Sequence, residues 1–427
     1  MFKGYKLNHP LKGEIKIPGD KSISHRAIII GSMAHGITEI ENYSTCFDCK
    51  TTIECMRKLG VNIIKINDTR YKIYGNGYQN FIEPNDLLDV GNSGTTIRML
   101  LGLLSGSKFT TTLTGDKSIR QRPLERIIKP LINMGAYILA RNNNSRAPVT
   151  IKGNKLIPID YEIPIASAQL KSALLLAGLQ ANGVSRIKEP LITRNHTELM
   201  LKQFGADINI NDKEIIINKT EKLKGQKIFI PGDISSASFL MGAASIIPGS
   251  ELLIKSVGIN PTRTGFLDIL NEIGAHFEIL NKIQENEVYA DIKISYNNDL
   301  RPITIKEEIV PRLIDEIPII TVISTQINGI TTIKGASELR VKETDRIKAL
   351  TFELNKMGAK IEELPDGMII YGKTKLHGNR VFSYNDHRIA MSLIIASLIA
   401  EGETIIDNID CIKNSFPEFI SYFDILS

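Results

Sequence analysis

Cationic residues stand near the beginnings of several very apolar segments of this 427-residue chain. Lys21 and Arg26 lie in GDKSISHR (19–26), Arg98 in GNSGTTIR (91–98), Lys171 in SAQLKS (167–172) and Arg388 in NDHR (385–388). GDISSAS (232–238) and IDE (314–316) hold the same kind of place. A helix N-terminus presents unpaired N–H donors and a partial positive charge. Ser, Asp and Asn are also ordinary caps, so any one cluster taken alone reads first as a capped helix. Taken together they say more, because a cation in a cleft needs an anionic partner. If three such helices per domain run parallel, their positive ends converge on one surface. Two facing domains would then enclose a cleft for phosphate- or carboxylate-bearing ligands.

The carboxylates add chemistry to charge. Asp315 sits in PRLIDEIPII, where apolar residues surround an Asp-Glu pair. Glu343 sits in LRVKETDRIKAL, flanked by Lys342 and Arg346. Burial against neighbouring cations suits such groups for proton transfer. A salt-bridged helix start explains VKETDR equally well. His25 and His387 read as orienting or structural. The chain has no GxxxxGK[ST] loop and no GxGxxG after a strand, and Cys46-x-x-Cys49 lacks the second pair that a zinc site wants.

A repeat must position these residues. MRKLGVNI from Met56 recurs as LINMGAYI from Leu131, LKQFGADI from Leu201, LNEIGAHF from Leu270 and LNKMGAKI from Leu354. Each reads as a helix end, a capping Gly and a strand start. A second pattern, an apolar helix stopped by Gly and followed by a β-branched strand, recurs at Gly36, Gly106, Gly183, Gly249, Gly329 and Gly402. The patterns interleave into six units of roughly 70 residues. Segments such as IRMLLGLLSG and FLMGAASIIPG are apolar on nearly every face and belong inside. TTIECMRKLG and HTELMLKQFG are amphipathic and belong outside. The expected fold class is therefore α/β, with buried helices and outer sheets.

The last unit runs out of chain: one strand follows Gly402, then PEFISYFDIL reads as a helix. Residues 1–18 are expected to supply its missing strands. IPGDKSISHRA at Ile17 and IPGDISSASFL at Ile230 are near copies and mark both domain crossings. One domain spans 20–229, and the other combines 1–19 with 230–427.

Composition agrees. The chain is 42% hydrophobic and 23% charged, an ordinary globular balance. Its 52 basic and 47 acidic residues leave a net charge of +5, which suits a small anion and is too dilute for nucleic acid. Four cysteines are too few for a disulfide scaffold. The start lacks a signal-peptide core, and no greasy run reaches the roughly 20 residues of a membrane span. A cytoplasmic monomer is expected, without nucleic-acid or membrane partners.

The motifs PGDKSISHRA, GNSGTTIRML, LTGDKSIRQRP, SAQLKSALLLAG, TRNHTE, PRLIDEIP, ELRVKETDR and NDHRIAM resemble, in order, those of the 5-enolpyruvylshikimate-3-phosphate synthase family. The resemblance runs from Lys3 to the last helix. It implies two inverse α/β domains, each of three units around buried parallel helices, with the active site in the cleft between them. It implies transfer of the enolpyruvyl group of phosphoenolpyruvate to the 5-hydroxyl of shikimate 3-phosphate, through a tetrahedral intermediate, with phosphate released. No metal, cofactor or covalent enzyme intermediate is implied. By motif, Lys21, Ser22, Arg26, Ser167, Ala168, Gln169, Arg194, Asp315 and Lys342 match shikimate-phosphate contacts. Lys21, Gly94, Arg122, Gln169, Arg346 and Arg388 match the phosphoenolpyruvate cradle. Asp315 and Glu343 match the acid–base groups, with Lys21 assisting. One departure stands in IKNSFPEF: some members place a lysine where this chain has Asn414, and Lys413 sits one position earlier.

Two rivals bear on the reading. The sister transferase for UDP-N-acetylglucosamine typically carries a reactive Cys in the loop before its Arg-Pro, where this chain has Lys117. A non-catalytic anion-binding scaffold would need the basic helix starts but neither Asp315 nor Glu343. The resemblance also implies that glyphosate binds beside Gly94. That glycine either makes room for ligand or serves a turn at positive φ. The two crossings are expected to act as hinges that close on shikimate 3-phosphate.

Overall fold

The computed structural model describes residues 1–426. The chain forms two compact units, Gly19–Ile230 and Met1–Pro18 with Pro231–Ser427.

Gly19–Ile230 is built around three apolar helices, Lys21–Met33, Gly94–Leu104 and Ala168–Gly178. Most of their residues are buried after the first turn. Each buried Leu or Ile contributes roughly 1.5–3 kcal/mol by leaving water, so these segments are stable only inside. Gly102 lets two of the helices approach closely: a Cβ there would stand 2.2 Å from the Ala173 carbonyl oxygen. Three four-stranded sheets pack against these helices. In the third, Val184–Lys188 runs parallel to Asp160–Glu162 and antiparallel to Glu214–Asn218, which pairs with Ile208–Asn211. The turn into each hairpin follows an amphipathic helix that ends at a repeat glycine. Gly60, Gly135 and Gly205 have φ of +88°, +104° and +88°, the left-handed geometry such a stop requires.

Met1–Pro18 with Pro231–Ser427 repeats the plan. Every residue of Ile234–Ile246 and of Ile317–Thr325 is buried, and His387–Ser397 is buried apart from Arg388. Gly274 and Gly358 stop the amphipathic helices with φ of +82° and +94°. Two sheets have four strands and the last has three.

The N-terminal segment departs from expectation. Phe2–Gly4 does join the last sheet, antiparallel to Thr404–Ile406. Lys12–Lys16 instead lies parallel to Glu251–Gly258 in another sheet of the same unit. Ile15 and Ile17 are the cause, since both sit in the core around Ile234–Ile246. The strand Lys227–Phe229 does the converse, pairing in parallel with His35–Glu41 inside Gly19–Ile230. The tail also differs: only Ser421–Ile425 is helical. Phe416 and Phe419 are fully buried and stack with Tyr422 and Phe423, and Pro417 lies between them. This aromatic packing sets the path of the segment in place of a regular helix.

Candidate active site

In Gly19–Ile230 the starts of the three buried helices meet. Asp20 caps the first, its carboxylate accepting from the Ile23 amide at 2.9 Å. Lys21 follows and is ion-paired with Asp48. Burial works against the ammonium, but Asp48 together with Cys46 and Cys49 more than offsets it and holds Lys21 above its ordinary value. Arg26 is buried, donating to Thr197 Oγ1 at 2.7 Å, to Ser172 Oγ at 2.8 Å and to the Ser22 carbonyl at 2.8 Å. It thus ties the first helix to the third and fixes the backbone at Ser22. Arg194 donates to Ser22 Oγ at 3.4 Å.

Ser93 caps the second helix and Ser167 the third. Ala168 opens the third helix, and Gln169 donates to Thr95 Oγ1 at 3.1 Å, joining it to the second. Gly94 is the first helical residue of the second, with φ outside the left-handed region, which removes the positive-φ turn reading. A Cβ on Gly94 would lie 2.8 Å from Arg122 Nη1 and 2.6 Å from Arg98 Nη1. Arg122 donates to Asn92 Oδ1 at 3.4 Å.

Like Arg26, two more of the sequence's five helix-start cations are buried with internal partners. Arg98 donates to the carbonyls of Gly94 and Pro123 at 3.0 and 3.3 Å. Lys171 is buried against two buried carboxylates, Glu189 at 2.8 Å and Glu198 at 2.6 Å. His25 is also internal: burial pushes its imidazole well below the ordinary value, and Nδ1 bonds Thr52 Oγ1 at 2.6 Å.

In the other unit the acids and cations interlock. Asp315 lies just before Ile317–Thr325, its carboxylate 3.5 Å from both Arg346 and Arg388. Arg388 also donates to the Asp315 carbonyl at 2.9 Å, joining two buried-helix starts. Arg346 begins the Arg346–Lys356 helix, capped by Asp345. It meets Glu343 at 2.6 Å and the fully buried Asp386 at 2.8 Å. One guanidinium therefore serves three carboxylates. Ser235, at the start of the remaining buried helix, donates to Glu316. Lys342 forms no ion pair or side-chain hydrogen bond among the described residues. Burial lowers its ammonium to about 8, against the pull of Asp315.

Gly19–Ile230 thus gathers cations at its helix starts, and the other unit gathers carboxylates around Arg346 and Arg388, residue types that suit anionic ligands. A family model for EPSP synthase (3-phosphoshikimate 1-carboxyvinyltransferase) matches residues 6–423. The chain belongs to the EPSP synthase family. It is 53% identical to the 3-phosphoshikimate 1-carboxyvinyltransferase of Thermoanaerobacter sp. strain X514 over 418 residues, covering 97% of this chain and 98% of that one. Against the same-named protein of Desulforamulus reducens it is 50% identical over 410 residues, covering 96% and 95%. The solved EPSP synthase of Acinetobacter baumannii is 40% identical with a TM-score of 0.88, covering 100% and 98%. The reaction of this EPSP synthase family member is transfer of the enolpyruvyl group from phosphoenolpyruvate to shikimate 3-phosphate in the shikimate pathway.

Sequence reasoning missed several supporting residues. Asp386 and Asn92 stood inside quoted motifs, NDHR and GNSGTTIR, without being singled out. Nothing in the spacing marks Asp48, Ser172 or Thr197 as partners, because each reaches its cation from another element. Lys413 is about half exposed and paired with Asp410 at 2.8 Å.

Proposed function

We propose that the two residue groups act on one pair of substrates. Lys21, Ser22, Arg26, Ser167, Ala168, Gln169 and Arg194 take shikimate 3-phosphate. The cap positions of Ser167 and Ala168 support this, since they offer helix N–H donors to a phosphate. Arg26, already committed to Thr197 and Ser172, orients Ser22. Asp315 and Lys342 take the shikimate hydroxyls. Gly94, Arg122, Arg346 and Arg388, with Lys21 and Gln169, cradle phosphoenolpyruvate.

In the proposed chemistry, the 5-hydroxyl oxygen forms a bond to C2 of phosphoenolpyruvate while losing its proton. The methylene carbon C3 gains a proton, giving a tetrahedral adduct. C3 then loses a proton, the bond from C2 to the phosphate oxygen breaks, and phosphate departs. Asp315 and Glu343 are the proton carriers, with Lys21 assisting near the hydroxyl and the leaving group. Arg346 and Arg388 neutralise charge as the two anions approach.

The observation that carries this reading is the joint placement of Asp315 and Glu343 on Arg346, with Lys342 unpaired beside them. Phosphate release that requires both substrates tests it. Asp315→Ala and Glu343→Ala are expected to lower the rate by roughly 10²–10⁴-fold while shikimate 3-phosphate binding changes far less. Near-wild-type turnover by Glu343→Ala would leave it a helix-start ion pair. The reading places a monomer in the cytoplasm. Among the described residues no helix is long and apolar enough to cross a membrane.

A further inference from the structure

A cavity of about 580 Å³ opens within Gly19–Ile230, beside the loop that carries Arg122. Lys117, Arg120, Arg141 and Arg146 line it, with Asp116 as the one acid. None of the four cations forms an ion pair among the described residues. Some exposed cations of the unit are matched, as Lys65 with Asp68, Lys72 with Glu39 and Lys129 with Glu125, whereas these four stand unpaired around one concavity. Asp116 is turned to other work, its carboxylate accepting from Asn92 Nδ2 at 2.6 Å and from the Ile119 amide at 2.9 Å. The far wall is a built turn. Asn142, Asn143 and Asn144 all have positive φ, and the Asn144 side chain bonds the backbone of Ala140 and Ile138. This holds Arg141 and Arg146 on either side of the turn, across from the 115–121 loop.

We propose that this cavity is a second anion site, for a molecule bearing a chain of phosphates. Four cations around one concavity match several oxyanions at once, which a single phosphate would not use. The site is also wired to the phosphoenolpyruvate cradle of the reading above, on which this part of the inference rests. Asn92 donates to Asp116 on the cavity wall and accepts from Arg122 Nη2 at 3.4 Å. Occupancy is therefore expected to be felt at Arg122.

Calorimetry with inorganic tripolyphosphate tests the site, with shikimate 3-phosphate at saturation to fill its own anion positions and the arginine variants below to separate the cavity from the phosphoenolpyruvate cradle. Binding is expected in the wild type and weakened about tenfold or more in R141E/R146E. R141Q/R146Q is expected to fall between them, and a melting scan of each variant confirms folding. Neither pair touches the proposed catalytic groups, so turnover without tripolyphosphate is expected to match the wild type. Tripolyphosphate is expected to raise the KM for phosphoenolpyruvate in the wild type and not in R141E/R146E. Adenosine triphosphate as a second probe separates a nucleotide from bare phosphates by the tighter binding of the two. Equal affinity of the wild type and R141E/R146E for both probes, or inhibition that persists in the variant, would place the probes at the catalytic anions and overturn the proposal.

Discussion

Gly94→Ala is the most informative single change, because the structure separates its effects. A new Cβ would stand 2.8 Å from Arg122 Nη1 and 2.6 Å from Arg98 Nη1, where ordinary contact begins at 3.4 Å. The neighbours must yield by 3.4 − 2.8 = 0.6 Å and 3.4 − 2.6 = 0.8 Å. Both guanidiniums must shift, and Arg122 is the one that belongs to the proposed phosphoenolpyruvate cradle, so its shift is the one that ligand feels. A charge-assisted hydrogen bond is worth about 1.5–3 kcal/mol, and losing half of one costs about 1 kcal/mol. That predicts a KM for phosphoenolpyruvate raised roughly fivefold. Glyphosate is longer and meets the methyl as well as the displaced Arg122, so its inhibition constant should rise by a larger factor. The backbone gives no reason for lost stability. Gly94 opens a helix without positive φ, and Ala suits a helix better than Gly by up to about 1 kcal/mol. Steady-state kinetics with and without glyphosate, and a melting curve on the same protein, check all three values. An equal rise in both constants with a lower Tm would refute the displaced-guanidinium reasoning.

Lys342 carries a pH signature. Its ammonium titrates near 8 in the folded chain against 10.5 unfolded, so the unfolded state binds more protons between those values. Stability from this group is therefore expected to rise with pH from about 8 to 10.5, by on the order of 3 kcal/mol, and Lys342→Met should flatten that slope in denaturant titrations. Anionic substrates should restore the charge, so binding at pH 9 takes up a proton, measurable by calorimetry in two buffers and absent in Lys342→Met. Lys171→Met strands two buried carboxylates and should cost about 3–5 kcal/mol, read as a Tm lowered by roughly 10 °C; a change under about 2 °C would mean that Glu189 and Glu198 do not depend on it. Small-angle scattering should show a smaller radius of gyration with shikimate 3-phosphate, and an unchanged value would count against closure.

The repeat was readable because its physics is local. A helix stop needs a left-handed residue, and Gly60, Gly135, Gly205, Gly274 and Gly358 announce it in five similar phrases. Apolar runs on every helix face also declare burial without a partner being known. The routing of Lys12–Lys16 was not readable, since a short alternating strand fits more than one edge and only the Ile15 and Ile17 contacts decide. The tail misled because PEFISYFDIL has helical spacing, while its aromatics pack on one another. For the site, residue types at helix starts gave Lys21, Arg388 and the acids, and the family motifs gave Ser22, Gln169 and Arg194. Which cations were already spent inside was invisible, because Glu189, Glu198 and Asp48 come from separate elements that nothing in the spacing ties to Lys171 or Lys21.

The lead-in strands have a bearing on how the chain is made. Lys227–Phe229 closes a sheet of Gly19–Ile230, so that unit holds all its strands once residue 230 has left the ribosome. It can reach its final form while the remainder is still being translated. The other unit has no such freedom. Its first strand emerges early, yet Phe2–Gly4 must wait for Thr404–Ile406, a loop closure of 400 residues. During that interval Ile15 and Ile17 have no core to enter, which makes the nascent N-terminus the segment most exposed to chaperones and to mispairing. A permutant that begins at Gly19 and joins residue 427 to Met1 would bring each unit's strands into one continuous stretch, and it is expected to refold faster than the present order.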